Sequence, residues 1–348
     1  MSLLTELARD YQAGRTRGIT SVCSAHPAVI RATLREGLRT DTVVLVEATC
    51  NQVNHEGGYT GMKPADFRRF VEGIAAEVGF DTANLILGGD HLGPNPWRSL
   101  PAEEALAKAE AMVAAYVAAG FTKIHLDASM GCAGEPEGLD DETTAHRAAR
   151  LATVAEATAK ANGLALPVYI IGTEVPTPGG ALHDLDDVPP TLASAARETI
   201  ATHRRVFAEA GLTEAFARVI GLVVQPGVEF GHDKVVVYRP ERARDLIAVL
   251  GDETQFVFEA HSTDYQPEAA LATLVRDGFP ILKVGPGLTF ALRQTLYGLD
   301  LIASELDAAY GNRALAKAME ALMLSEPNYW QRYYPGTPDE QHVLRHYS

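Results

Sequence analysis

Between Leu85 and Trp97 the sequence reads LILGGDHLGPNPW: an apolar run passes through a glycine pair into adjacent Asp90 and His91, and Pro94 and Pro96 stiffen the loop beyond them. Two titratable groups at the end of a buried segment are costly unless something uses them. Side by side, they offer a proton-transfer carboxylate and a metal-binding imidazole within reach of one small molecule. Other apolar runs end in the same manner. Ser24 and His26 follow ITSVC, Glu47, Thr49 and Asn51 follow TVVLV, and His125, Asp127 and Ser129 lie in KIHLDAS. Glu174 ends PVYIIGTE, Gln225 ends VIGLVVQ, Glu259, His261 and Thr263 lie in QFVFEAHST, and Lys283 lies in PILKVGP. Period-two spacing places His125, Asp127 and Ser129 on one strand face, and likewise Glu47, Thr49 and Asn51, and Glu259, His261 and Thr263.

Imidazoles and carboxylates converging on one rim suit zinc, manganese, cobalt or nickel. The expected metal ligands are His91 and His261, helped by Glu174 or by Glu229 and His232. Asp90, Asp127 and Glu174 are the candidate catalytic residues, the two aspartates for proton transfer and Glu174 to bind metal or substrate. Lys283 has two readings: a Schiff-base lysine for a ketose, or a salt bridge to Glu259 or Glu47. In VGPGLTFALRQ, Gly285 and Gly287 permit close backbone approach, and a helix beginning near Thr289 points its N-terminus at the rim. Ser262 and Thr263 would complete a phosphate site there, with Arg293 a weaker candidate. The alternative is a plain turn with a capping Thr.

Such residues need a scaffold that gathers strand ends. Eight strand-length runs rich in Val, Ile, Leu or Phe alternate with helix-periodic segments such as PADFRRFVEGIAAEVG and PAEEALAKAEAMVAAYVAAG, several opened by Pro or a cap and closed by Gly. That alternation predicts an α/β fold, a single-domain (β/α)8 TIM barrel with its chemistry at the carboxyl ends of the strands. The rival, an open doubly wound sheet, usually carries a Gly-rich first turn, and SAHPAV is not one. Residues 1–310 are expected to form the barrel with its N-terminal helix. The aromatic, proline-rich residues 311–348 are expected to form a lid or an oligomer contact.

Composition narrows the partners. With 47% hydrophobic and 22% charged residues among 348, and a formal charge of −15, the chain reads as a globular protein with a large core. No Lys/Arg cluster tracks a phosphate backbone, so neither nucleic acid nor an anionic membrane is an expected partner. No apolar run approaches the roughly 18 residues that span a bilayer, and the cytoplasm is the expected location. Cys23, Cys50 and Cys132 are too scattered for a disulfide framework and read as free thiols.

The stretches SVCSAHP, EATCNQVNHEGGYTGMKPADF, LGGDHLGPNPW, KIHLDASM, IGTEVPTPGGA, VVQPGVEFGH, FEAHSTDYQ and ILKVGPGLTFALR together resemble the Z-type, non-catalytic subunit of class II D-tagatose-1,6-bisphosphate aldolase. That family also carries labels as tagatose 6-phosphate kinases, and its relatives include metal-dependent ketohexose 4-epimerases. Family chains run further, so this one is expected to be shortened. The resemblance implies a divalent metal, a ketohexose or ketohexose phosphate as substrate, a catalytic class II aldolase subunit as partner, and a homo-oligomer. Catalytic class II aldolases place a proton-transferring Asp and a metal His after strand three, like Asp90 and His91, an Asp like Asp127 on strand four, and a metal His like His261 after strand seven. They supply a further metal His after strand six, where this chain has Gln225. Two functions emerge as expectations: a metal-dependent D-tagatose/D-fructose (6-phosphate) 4-epimerase working by retro-aldol and aldol steps, or a non-catalytic subunit that stabilises an aldolase. In either, Asn51, Ser129, Gln225, Ser262, Lys283, Gly285 and Gly287 are the expected substrate or phosphate contacts. Kinase chemistry gains no support, because the sequence lacks a P-loop.

Overall fold

The computed structural model describes residues 3–172, 188–231, 234–331 and 333–346. Eight parallel strands close a barrel: β1 (Ile19–Val22), β2 (Val44–Thr49), β3 (Leu85–Leu92), β4 (Lys123–Leu126), β5 (Val168–Ile171), β6 (Val219–Val224), β9 (Val257–Ala260) and β10 (Ile281–Val284). Between β6 and β9 a two-stranded ribbon, β7 (Glu229–Phe230) with β8 (Val235–Val236), leaves the barrel. All eight predicted runs are barrel strands. Apart from exposed Thr20 on β1 they are largely buried on both faces, which is why each reads as nearly continuous apolar sequence.

Helices surround the sheet, and their ends obey local chemistry. The helix Pro27–Thr40 is capped by His26, whose Nδ1 accepts the Ala28 N–H at 3.2 Å. The helix Asp141–Ala161 is capped by Asp140, which accepts the Thr143 N–H at 2.7 Å. The last barrel helix, Pro286–Leu306, starts three residues before the expected Thr289 because proline supplies its first turn.

The barrel interior is layered. At the N-terminal ends of the strands, Ile19, Leu45, Val168, Ile170, Val257 and Ile281 meet Leu4 and Leu7 of the N-terminal segment, which closes that end. Above this apolar floor lies a charged layer. Register aligns Glu47 with Gly88 and Gly88 with Lys123. A Cβ at Gly88 would sit 2.7 Å from the Glu47 side chain. The missing side chain lets Lys123 reach Glu47 at 2.6 Å, and it also reaches Glu259 at 2.7 Å. Lys283 completes the layer, 2.6 Å from Glu47. Burial alone would favour neutral forms. The two carboxylates nevertheless raise Lys123, and the two lysines hold Glu259 well below the usual carboxylate range.

Candidate metal and sugar site

The rim layer sits directly above these ions. Strand β3 shifts register between Gly89 and Leu92, and His91 adopts a left-handed φ of 49°. Such bulges re-aim side chains beside active sites. The bend places Asp90, His91, His125 and His261 so that one ligand atom from each lies within 4.8 Å of all the others. Gly93 fixes the exit of the strand, since a Cβ there would fall 1.6 Å from the Asp127 carbonyl oxygen.

Each imidazole is held from behind. His91 Nδ1 donates to Asp127 Oδ2 at 2.7 Å, His125 Nε2 donates to the Gly172 carbonyl at 2.9 Å, and His261 Nε2 lies 3.0 Å from Glu259 Oε1. Metal-binding histidines show this arrangement, the far ring nitrogen tied to a carboxylate or carbonyl. It leaves His91 Nε2, 3.8 Å from Asp90 Oδ2, and the Nδ1 atoms of His125 and His261 as donors. His125 Nδ1 is already engaged, 3.2 Å from the His91 backbone nitrogen and 3.0 Å from Asp90 Oδ1, so it is the most committed of the three. Three imidazoles with one carboxylate fit a borderline divalent cation.

Asp90 is buried and bound through Oδ1 to Lys283 at 2.6 Å and to His125 at 3.0 Å. Burial opposes its ionised form, but His91, Lys283 and His125 hold its carboxyl well below the usual range. Burial likewise depresses His91, yet Asp90 and Asp127 reverse this and lift it to about 9. His261, for which burial dominates over Glu259, falls to about 4 and is neutral at pH 7. Asp127, despite burial, is pulled to about 2 by His91 and Ser129.

A cavity of about 300 Å³ opens over the cluster. Of the expected contacts, Asp90, His91, Asp127, His261, Asn51, Ser262, Lys283 and Gly285 line it. Several others have structural duties. Gln225 Oε1 accepts the N–H groups of Gly227 and Val228, both at 2.8 Å, and so caps the turn after β6. Ser129 Oγ donates to Asp127 Oδ1 at 3.1 Å. Glu229 is buried on the ribbon, accepts the Phe230 N–H, and belongs to no ligand group among the described residues. Gly285 and Gly287 donate their N–H groups to Asp264 Oδ1 at 3.0 and 2.7 Å, which corrects their reading as open phosphate donors. Lys283 is a salt-bridge lysine, and its charge, raised by Asp90 and Glu47 against burial, leaves no amine for a Schiff base. His26 is an exposed helix cap. Glu174 and His232 lie outside the described residues.

Sequence reasoning leaves His125 out of the metal set and passes over Lys123 altogether. Period two carries the signal for both, since Lys123, His125 and Asp127 alternate along one strand face. His125 on β4 supplies the further imidazole that the position of Gln225 after β6 does not.

A closed parallel barrel with histidines and an aspartate gathered at the carboxyl ends of its strands, beside a cavity, carries its candidate site where (β/α)8 barrels hold theirs. Comparison with known proteins specifies it further. The chain belongs to the family described as D-tagatose-1,6-bisphosphate aldolase subunit GatZ/KbaZ-like, whose model matches residues 4–348. It is 63% identical over 347 residues to the D-tagatose 6-phosphate 4-epimerase of Agrobacterium fabrum, a match spanning 100% of this chain and 82% of that protein. It is 51% identical to the D-tagatose-1,6-bisphosphate aldolase subunit GatZ of Salmonella typhimurium, over 99% of this chain and 81% of that one. A solved structure from Sinorhizobium meliloti, named a probable tagatose 6 phosphate kinase, superposes with a TM-score of 0.88 at 57% identity, covering 95% of this chain and 81% of that one.

Proposed function

We propose that the chain is a metal-dependent 4-epimerase interconverting D-tagatose and D-fructose as their 6-phosphates. The observation that carries this reading is the cluster of Asp90, His91, His125 and His261, of which Asp90, His91 and His261 line the cavity, in a chain 63% identical to a protein named for that activity. His91, His125 and His261 would hold the ion, which is zinc, manganese, cobalt or nickel on donor chemistry. When bound, the ion supplies Lewis acidity toward the sugar's carbonyl and hydroxyl oxygens.

Asp90 takes the proton of the C4 hydroxyl as the C3–C4 bond breaks, leaving an enolate of carbons 1–3 and an aldehyde of carbons 4–6. The aldehyde turns its other face, the bond re-forms, and Asp90 returns the proton, so C4 is inverted with no net change of atoms or electrons. A carboxylate this acidic accepts a proton only from a hydroxyl whose own acidity is raised, as a bound Lewis acid would raise it. Lys283, 2.6 Å from Asp90, offsets the charge of the ionised state. Asp127 acts through His91 by fixing its ring. Asn51 and Ser262 contribute polar contacts to the sugar from the cavity wall.

Residues 311–348 serve as a lid in this reading. Tyr334 lines an outer cavity of about 910 Å³ that shares Cys23, Gln52, Phe230 and Gly285 with the inner one. A second function, partnership with a catalytic aldolase subunit or with further copies of this chain, is favoured by exposed Leu299, Leu301, Ile302 and Leu306 on the last barrel helix. No helix among the described residues is long and apolar enough to cross a membrane. The kinase name of the Sinorhizobium protein finds no phosphate loop to support it in this sequence. The deciding experiment incubates metal-loaded protein with D-tagatose 6-phosphate and monitors D-fructose 6-phosphate by NMR. Product supports the epimerase. Its absence with every metal, together with activation of a catalytic aldolase subunit, supports the partner role instead.

A further inference from the structure

We propose that the Asp264 end of the inner cavity receives a sugar hydroxyl and rejects a phosphate, so that the chain accepts a ketohexose or its monophosphate but excludes the 1,6-bisphosphate. This rests on the reading of the cavity as a sugar site. The helix Pro286–Leu306 begins beside the cavity, and in barrels of this kind the N-terminus of a helix after the last strands commonly cradles a phosphate. Here its donors are already used. Asp264 Oδ1 accepts the N–H groups of Gly285 and Gly287, Pro286 has none, and those of Leu288 and Thr289 turn back to the Gly285 carbonyl. A Cβ on Gly287 would lie 2.8 Å from Asp264 Oδ1, so glycine at this position admits the chain's own carboxylate, not a ligand's phosphate.

A second observation points to the occupant. Ser262 is 4% exposed, lines the same cavity and is held at a left-handed φ of 51°, and its Oγ has no hydrogen-bond partner among the described residues. A hydroxyl can donate and accept, so a sugar hydroxyl satisfies Ser262 where an apolar group would not. Lys283 also lines the cavity, but Asp90 and Glu47 hold its ammonium. A 1,6-bisphosphate carries an anion at both ends, and either orientation brings a phosphate against Asp264 or leaves the hydroxyl pocket empty. A monophosphate can place its hydroxyl end here.

Calorimetry of the metal-loaded chain with D-fructose 1-phosphate, D-fructose 6-phosphate and D-fructose 1,6-bisphosphate tests this from binding, since any epimerisation at C4 leaves the number and place of the phosphates unchanged. The wild type should bind one monophosphate at least about tenfold more tightly than the bisphosphate. Asp264→Ser frees the two N–H groups and should bring the bisphosphate to within a few-fold of the monophosphate. Asp264→Asn keeps an oxygen on those N–H groups, protects the fold, and should narrow the ratio less by removing charge alone. A wild type that binds the bisphosphate as tightly as the monophosphate, a ratio unchanged in both variants, or no binding of any probe would overturn the inference. Failure of the epimerase reading shows separately, as binding with this selectivity but no conversion.

Discussion

Asp127 Oδ2 lies 2.7 Å from His91 Nδ1, and this contact fixes which nitrogen of His91 faces Asp90. Both Asp127 oxygens are engaged, Oδ1 by Ser129, an arrangement suited to orienting the imidazole. Removing such an orienting group typically costs about 10–100-fold in metal affinity. Asp127→Ala is therefore expected to weaken metal binding by that factor, read by competition with a chromophoric chelator. Asp127→Asn, whose amide oxygen can still accept the His91 proton, should lose much less. Equal losses in the two variants would assign Asp127 a different role.

The charged layer gives a stability prediction. Lys123 is fully buried, and its charged partners within 4 Å among the described residues are Glu47 and Glu259. Lys123→Met leaves two buried carboxylates with one remaining lysine. Breaking a buried pair from one side typically costs about 3–5 kcal/mol. Urea unfolding should show a loss of that order, and the double variant Lys123→Met/Glu259→Gln should recover part of it. A loss under about 1 kcal/mol in the single variant would mean that the remaining carboxylates take up protons at little cost.

Strand number, order and the rim are legible in the sequence because parallel strands are apolar throughout and change character only where they meet the site. The same runs hide depth. Glu47 and Glu259 read as rim residues beside Asp127, yet they lie one layer lower, where only Gly88 makes room for Lys123. The ligand set is half legible, because donors from different strands have no fixed spacing. Asp90, His91 and His261 stand at strand ends, whereas His125 requires knowing that the β3 bulge turns His91 toward β4. The Gly285 and Gly287 turn misleads for a related reason. Its partner, Asp264, comes from the loop after another strand, and no local pattern reveals that its carboxylate folds back over the turn.

Metal uptake should depend on pH with a definite sign. The neighbouring carboxylates lift His91 to about 9 in the chain without metal, so its imidazole is protonated at neutrality, while a ligand must be neutral. Binding near pH 7 must expel this proton. Affinity should rise by up to about tenfold per pH unit below 9 and level off above it. Calorimetry in buffers of different ionisation enthalpy should register release of about one proton per ion. No release at pH 7 would show that His91 is already neutral or is not a ligand.

The thiols should be quiet. Cys50 and Cys132 are buried and Cys23 lines the cavity, and burial raises all three, with Lys283 only partly opposing it at Cys23. The thiolate is the reactive form, so a chromogenic disulfide reagent at pH 8 should titrate no thiol rapidly in the native chain and all three after denaturation. A fast native thiol protected by a ketose phosphate would instead place Cys23 in a functional role.

The proton-transfer assignment has the most direct test. Asp90 contacts Lys283, His125 and the Cys23 thiol, and its Oδ2 lies 3.8 Å from His91 Nε2. Asp90→Asn keeps the shape and removes both the charge and the ability to hold a proton. Losing a positioned acid–base group typically costs about 10²–10⁴ in rate, so interconversion of the 6-phosphates should fall by that range. Asparagine remains a weak oxygen donor, and the three imidazoles persist, so bound metal should fall far less than turnover. The comparison with His261→Ala separates the two roles, because that variant should lose metal and rate together. If Asp90→Asn lost metal in proportion to activity, Asp90 would be a ligand first, and the proton would have to pass through another group on the cavity wall.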